Sequence, residues 1–328
     1  MSLDLNIGID TIDKLSKLNA VGIKKMFCGY IDETARQKWP EEFCTLNRRG
    51  YNASIIGKQQ FKEFALESGK YDISIYVTFN VVYTPEQYGW ILAAINTVSS
   101  YDAVKGIIIS DMGLLIRLKD LNYNKEIIIS TGGTTFNSSA VSFYKQFNIK
   151  RIVLDRQLDI DEMKQIITNH PDIQFEIFLM FGNCLFIDGF CSLMHCLENE
   201  EDKNTCCYNP TELLTNCGFI HKAQRDNSYK IINKSKKKYN INFNDNINNL
   251  ITGCNFCAPQ ELIDFSDNLT YKIATRGSHF INEFDTMYPF LEEIYKLEQT
   301  TINRKELFRK IFQYNCNGYG CYASKKII

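Results

Sequence analysis

The chain has 328 residues, 45% of them hydrophobic and 23% charged, with a formal net charge of −1. That length holds two domains or one large α/β barrel and buries a substantial core. The composition is that of an ordinary globular protein, and the net charge selects no class of partner. The start, MSLDLNIGID, carries neither a basic n-region nor an apolar h-region, so no signal peptide is expected. The longest apolar stretch, Phe175–Leu185, is interrupted by Glu176 and falls short of the about 20 residues a membrane span needs. A cytoplasmic location follows as the expectation. Thiols stay reduced there, so clustered cysteines favour metal or catalysis over disulfides.

In chain order, strands are predicted at Leu3–Ile9, Lys25–Cys28, Ile73–Phe79, Gly106–Ile109, Ile127–Ser130, Arg151–Leu154, Phe175–Met180 and Tyr271–Ala274. Several are nearly continuous Ile, Val and Phe, the pattern of strands buried on both faces. Helices are predicted between them at Thr11–Leu18, Gly57–Glu67, Pro85–Ser99, Met112–Leu118, Ser138–Gln146 and Ile160–Thr168. Thr11 and Thr84-Pro85 read as helix-start signals. Eight strands with intervening helices fit a (β/α)8 TIM-like barrel, with a doubly wound sheet as the alternative. The predicted domains are a barrel over 1–285, containing a cysteine-rich insertion at 182–270, and a helical C-terminal extension over 286–328. The extension has helices at Met287–Leu297 and Arg304–Gln313 and ends in Cys316 and Cys321.

The chain turns polar as it leaves each predicted strand, at Cys28-Gly29-Tyr30, Asn80, Ser110-Asp111, Ser130-Thr131-Gly132-Gly133, Asp155-Arg156, Gly182-Asn183-Cys184 and Thr275-Arg276. In a barrel these ends converge on one mouth, where barrel active sites lie. The insertion is longer than an ordinary barrel loop. It begins with Cys184, Cys191, Cys196, Cys206 and Cys207, and closes with Cys254 and Cys257 spaced C-x-x-C. Soft thiolates in such numbers select an iron–sulfur cluster or zinc. Cys196, Cys217, Cys316 and Cys321 are candidates for a second metal. Cys28 at a strand end reads foremost as a small buried apolar residue. His195 among the cysteines is a solvated loop histidine before it is a ligand, and the basic stretch Lys230–Lys238 a solvated loop before it is a nucleic-acid contact.

Asp111 and Asp155 are candidate acid/base groups. Arg48, Arg49, Arg156 and Arg276 can hold carboxylates in bidentate fashion or serve structural ion pairs with Asp111, Asp155 or Glu176. Glu176 is expected deep in the barrel, paired with an arginine. Gly132-Gly133 leaves backbone N–H groups open to a close ligand.

Together these residues resemble the peptidase U32 family. Asn47-Arg48-Arg49 with Asn52 resembles its N-R-R…N loop. Tyr76–Asn80 resembles Y-V-T-x-N, Ser110-Asp111-Met112-Gly113 matches S-D-x-G, and Ser130-Thr131 through Asn137 resembles S-T-Q-x-x-x-x-N. Arg151–Leu158 resembles R-V-V-L-x-R-E-L. Glu176, Phe178, Gly182, Cys184 and Cys191 resemble the signature E-x-F-x-H-G-x-x-C-x6-C, with Phe181 where the signature has His. Gly132 stands for the family's Gln, Phe190 for its Arg, and Ala274-Thr275-Arg276 for its Glu-Gly-Arg.

The resemblance implies a barrel with a 4Fe-4S cluster held by Cys184, Cys191, Cys207 and Cys257, with Cys206 and Cys254 as alternates. It implies oxygen-independent hydroxylation, or a related modification, of a nucleobase or a small or peptidyl aromatic substrate, with prephenate as oxygen donor. Asp111, Asp155, Arg156 and Glu176 would be the catalytic residues, and Asn47, Arg48, Arg49, Asn80, Thr131 and Arg276 the substrate-binding ones. An RNA or peptide substrate and a heterodimer with a second family member are the partners implied. A binding or scaffold subunit with a structural cluster is the alternative, and a peptidase a further one. No His-Glu-x-x-His is present to support the last.

Overall fold

The computed structural model describes residues 2–34, 53–181, 187–190, 254–275, 283–297 and 304–312. Its centre is a closed barrel of eight parallel strands: β1 (Leu5–Gly8), β2 (Lys25–Ile31), β4 (Ser74–Phe79), β5 (Val104–Ile109), β6 (Glu126–Ile129), β7 (Arg151–Val153), β8 (Gln174–Met180) and β9 (Leu269–Ile273). Closure is direct. β1 pairs with β2 through Asn6↔Lys25 and with β9 through Asn6↔Lys272, which excludes an open doubly wound sheet. A ninth strand, β3 (Ser54–Ile56), was not expected. It lies outside the ring and pairs with the C-terminal end of β2, Gly29↔Ser54 to Ile31↔Ile56.

The strands are apolar throughout because each face meets a different core. Along β4, Tyr76 faces the barrel axis and joins Phe27, Ile108, Ile128, Val153 and Phe178 in an interior layer. Its neighbours Ile75, Val77 and Phe79 belong to the outer core beneath the helices. This is the two-residue alternation of a strand, closed into a ring. One layer toward the strands' N-terminal ends, the interior becomes charged: Arg151, Glu176 and Lys272 lie two residues before Val153, Phe178 and Ala274. Their side chains are shut in, with 1%, 0% and 9% exposure.

Among the described residues six helices cover this ring: α1 (Asp13–Val21), α2 (Lys58–Lys70), α3 (Tyr88–Ser99), α4 (Met112–Asp120), α5 (Ser138–Lys145) and α6 (Ile160–Asn169). Three start on side-chain caps that take otherwise orphaned backbone N–H groups. Asp111 accepts from Leu114 N, Asn137 from Ala140 N, and Asp159 from Glu162 N in a reciprocal capping box. Thr84 and Pro85 open a single 3-10 turn that leads into α3, and the Gln87 side chain accepts the Thr84 N–H at 2.8 Å. Thr11 does not cap α1. Ile12 holds that position, with no side-chain bond to the helix.

Chain leaving β8 passes through 187–190 and returns at 254. There Cys254 forms an antiparallel bridge with Met180, and Asn255 N donates to Leu179 O at 2.7 Å. The helical turn α7 (Ala258–Glu261) follows, with Phe256, Ala258 and Leu262 buried. The C-terminal helices α8 (Glu283–Met287), α9 (Leu291–Tyr295) and α10 (Arg304–Phe312) share the barrel's outer core through Phe284, Leu291, Ile294, Leu307 and Phe308. Leu3 N donates to Tyr295 O, and Lys17 pairs with Asp285 at 3.0 Å. Among the described residues no helix is long and apolar enough to cross a membrane.

Candidate functional site at the barrel mouth

The mouth lies at the C-terminal ends of the strands. Phe178, with the interior layer around it, forms an apolar floor. Asn80, Ser110, Ser130 and Thr131 stand where β4, β5 and β6 end, because the residue after each strand must satisfy backbone groups that the sheet no longer pairs. The Asn80 amide donates to Ser130 Oγ at 3.4 Å. Ser110 Oγ is buried against Gly132, where a Cβ would meet it at 2.3 Å.

Two of the sequence-predicted residues, Thr131 and Arg156, come together on a third that was not predicted, Asp188. Asp188 Oδ2 accepts from Arg156 Nη2 at 2.5 Å and from Thr131 Oγ1 at 2.6 Å. The ion pair is largely desolvated, with side-chain exposures of 10% and 7%. The Arg156 guanidinium also lies over the Phe178 ring, 4.5 Å from its centroid, a cation–π contact that fixes its plane. Asp188 opens a short 3-10 turn, Asp188–Phe190, seated on the turn Thr131–Gly133. The glycines permit that approach: a Cβ on Gly189 would stand 2.2 Å from Thr134 Cγ2 and 2.7 Å from the Gly132 carbonyl oxygen. The Gly132-Gly133 opening, expected to admit a ligand, therefore receives the chain's own Gly189.

The remaining acidic candidates are engaged elsewhere. Asp111 is 5% exposed and accepts from Leu114 N at 2.6 Å, Tyr83 N at 3.1 Å and Tyr88 OH at 2.6 Å. It ties the β4 exit to the start of α4. Burial, and then the Asp111 hydrogen bond, push the Tyr88 phenol up to about 12. Asp155 is fully buried, its carboxylate accepting the Gln157 N–H at 2.8 Å in a tight turn after β7. Glu176 lies one interior layer below Phe178 and so is not at the mouth. It accepts from Arg151 Nη1 at 3.0 Å, Lys272 Nζ at 2.5 Å and Asn6 Nδ2 at 3.1 Å. Burial alone would raise its pKa, but the two cations outweigh it and hold the carboxyl below the usual glutamate value. The expected arginine partner is Arg151.

β8 ends irregularly. Its register with β9 shifts between Phe178 and Met180, a bulge-type defect. Leu179, Met180 and Phe181 all then join the outer core, and Phe181 is 1% exposed with φ of 63°. A bulky residue rarely takes that left-handed conformation.

Of the candidate metal ligands, Cys254 and Cys257 lie among the described residues. Cys254 sits against the end of β8, and Cys257 is exposed at the start of α7. Cys254 thus lies at the mouth end of β8, and both residues supply the soft donors that iron or zinc selects. Among the described residues no three His, Cys, Asp or Glu side chains converge as a metal site. Cys184, Cys191, Cys206, Cys207, Asn47, Arg48, Arg49 and Arg276 lie outside the described residues, as do Cys196, Cys217, Cys316, Cys321, His195 and the basic stretch.

The sequence model of peptidase family U32 matches residues 11–265, which takes in the barrel from α1 to the turn before β9. The chain belongs to peptidase family U32. Curated proteins similar to this U32 chain include tRNA hydroxylation protein P of Haemophilus influenzae, 32% identical over 103 residues (31% of this chain, 22% of that protein). The Escherichia coli protein of the same name is 25% identical over 128 residues, 39% of this chain and 28% of that protein. Bacillus subtilis tRNA hydroxylation protein P1 is 30% identical over 176 residues, 48% of this chain and 40% of that one. The U32 chain thus matches less than half the length of each relative. A solved U32 peptidase structure is similar at a TM-score of 0.44 and 10% identity, covering 56% of this chain and 71% of that one.

Sequence reasoning found Thr131 and Arg156 through the strand-end pattern. Asp188 carried no comparable signal, being a lone acid inside a cysteine-rich stretch. Its only cue was the following glycine.

Proposed function

We propose that this U32 barrel takes part in a hydroxylation-related modification of RNA, acting at the mouth around Asn80, Ser130, Thr131 and Arg156. The family membership and the tRNA hydroxylation proteins among its relatives support this reading. The observation that carries it is the Thr131–Asp188–Arg156 network. It joins the ends of two barrel strands to the segment bearing the first candidate thiolates, above an aromatic floor suited to a flat ring.

On this reading Cys184, Cys191, Cys207 and Cys257 hold a 4Fe-4S cluster, with Cys206 and Cys254 as alternates, and prephenate is the oxygen donor. The placement of Cys254 at the mouth end of β8, and the thiol chemistry of Cys254 and Cys257, fit such a group. When bound, the cluster supplies one-electron chemistry. The chain's own residues do the rest. Phe178 and its layer exclude water from below. Asn80 and Ser130 offer amide and hydroxyl groups to a ring edge, and Arg156 holds a positive charge beside the substrate. A second U32 protein as heterodimer partner and a cytoplasmic location belong to the same proposal.

The test is a strain lacking the gene, with its tRNA nucleosides read by mass spectrometry. A hydroxylated nucleoside should disappear, return with the wild-type gene, and stay absent with Arg156→Met. An unchanged nucleoside profile would sink the proposal.

A second reading, a binding or scaffold subunit, is favoured by one observation: Arg156 and Asp111 are already engaged within the chain, and Glu176 lies below the floor. The peptidase reading gains nothing from the described residues. Their one histidine, His170, caps the end of α6 and contacts Ser138 O at 3.1 Å.

A further inference from the structure

We infer that Asn255 is a positioning residue for the barrel mouth: it clamps the irregular end of β8 and so fixes the Phe178 ring on which Arg156 stands. The inference rests on the proposed role of Arg156.

Phe178 is where β8 loses its regular neighbours. On one side β7 ends at Val153, which pairs with Glu176, two residues short of Phe178. On the other side the register with β9 shifts between Phe178 and Met180. Buried carbonyls at such a strand end need partners from elsewhere, because leaving one unmade is costly. Asn255 supplies them. Its backbone N–H donates to Leu179 O at 2.7 Å, and its side-chain amide donates to Phe178 O at 3.1 Å. Asn255 is itself held. It is 1% exposed, and its own carbonyl accepts the Ala258 N–H at 2.9 Å in the turn that opens α7. Its two chain neighbours are anchored as well, Cys254 by the bridge to Met180 and Phe256 by burial in the core.

A bulged strand end is free to turn a side chain to either face, since a slip of one residue reverses its direction. Fixing the Phe178 carbonyl removes that freedom. The ring stays in the interior layer, with its centroid 4.5 Å from the Arg156 guanidinium. Asn255 thus acts on Arg156 through Phe178, in the way a supporting shell holds a binding group in place.

The full-length chain, isotope-labelled for nuclear magnetic resonance, provides the test. The Arg156 guanidinium protons should resonate upfield, shifted by the Phe178 ring. Their signal is assigned by its loss in Arg156→Lys and by its return to the ordinary range in Phe178→Leu. Asn255→Ala should move it toward the position it takes in Phe178→Leu. Asn255→Ser, which keeps one donor, should move it less. Asp111→Asn loosens a cap whose bonds run to Leu114, Tyr83 and Tyr88, and should leave the signal in place. Lost stability alone therefore does not give the result. Should Asn255→Ala fail to fold, Asn255→Gln, with its amide one methylene farther out, takes its place and should displace the signal too. In the deletion strain, Asn255→Ala should slow formation of the hydroxylated nucleoside by about tenfold or more, as misplacing a substrate-contacting group does.

An unmoved Arg156 signal in a folded Asn255→Ala or Asn255→Gln variant would overturn the inference. So would nucleoside formation at the wild-type rate in Asn255→Ala. If deleting the gene alters no nucleoside, the proposed function fails, and the Arg156 signal alone decides whether Asn255 positions the mouth.

Discussion

Glu176 and Lys272 face each other across neighbouring barrel strands, with Nζ 2.5 Å from Oε1 and both side chains buried. Arg151 and Asn6 complete the set around the same carboxylate. Three charges below the floor of the mouth are thereby made compatible with burial.

Glu176→Gln should therefore cost about 3–5 kcal/mol, since it leaves Lys272 and Arg151 buried with too little negative charge. Denaturant unfolding measures this. The pH dependence has a definite sign. The folded-state pKa of Glu176 lies below its ordinary 4.5, so its contribution is fully present above that value and is lost as pH falls through the lower, folded value. Wild-type stability should drop on acidification below about 4.5, and the Gln variant should lack that part of the drop. Parallel curves for the two proteins would contradict the assignment.

Asp111 should matter more to stability than to chemistry. Asp111→Asn retains a poorer cap and should cost about 1–2 kcal/mol by thermal or denaturant unfolding. The Tyr88 phenol, now at about 12, should titrate lower in that variant but remain above 10, because its burial persists. Ultraviolet titration of the phenolate reads the change.

The two glycines of the mouth should respond differently to alanine. At Gly189 the new methyl meets the Gly132 carbonyl oxygen at 2.7 Å, a backbone atom that cannot turn away, besides the Thr134 methyl. At Gly132 its nearest contact is Ser110 Oγ, which can rotate, with Ser110 Cβ at 2.9 Å behind it and no backbone atom among the near contacts. Gly189→Ala should lose about 1–3 kcal/mol and Gly132→Ala clearly less. Equal costs would mean that the Asp188–Phe190 turn is not seated as described.

Cys257→Ser should lower the iron and sulfide bound after anaerobic purification more than Cys254→Ser does. Cys257 is the exposed thiol, and Cys254 is tied into the bridge with Met180. Metal analysis of the two variants decides between them, and undiminished iron in both would remove this pair from the ligand set.

The barrel was legible because its strands are written in runs such as Ile107–Ile109 and Ile127–Ile129, which only a doubly covered sheet needs. All eight ring strands lie where such runs occur. β3 escaped because Ser54–Ile56 is three residues long and pairs only at the rim of β2. The pairing of Glu176 with an arginine could be anticipated, since a carboxylate in an apolar strand demands a cation. That Asp188 would take Arg156 could not. The two are 32 residues apart, and nothing local marks either as the other's partner. A mouth is assembled from loops whose meeting depends on closure of the whole ring.

The disturbed end of β8 has a consequence of parity. In the signature E-x-F-x-H-G, the acid, the aromatic and the histidine fall at i, i+2 and i+4, so a regular strand turns all three toward the axis. Here Glu176 and Phe178 keep that face, while position i+4 is Met180 and Phe181 stands one residue beyond it. The bulge after Phe178 upsets the alternation, and a one-residue slip moves a side chain to the opposite face of a sheet. Met180 and Phe181 accordingly both pack into the outer core. A histidine placed at either position would thus sit among apolar side chains instead of facing the mouth. Cys184 still falls eight residues after Glu176, as in the signature, so the chain keeps the signature's length and departs from it in the direction its last strand residues take.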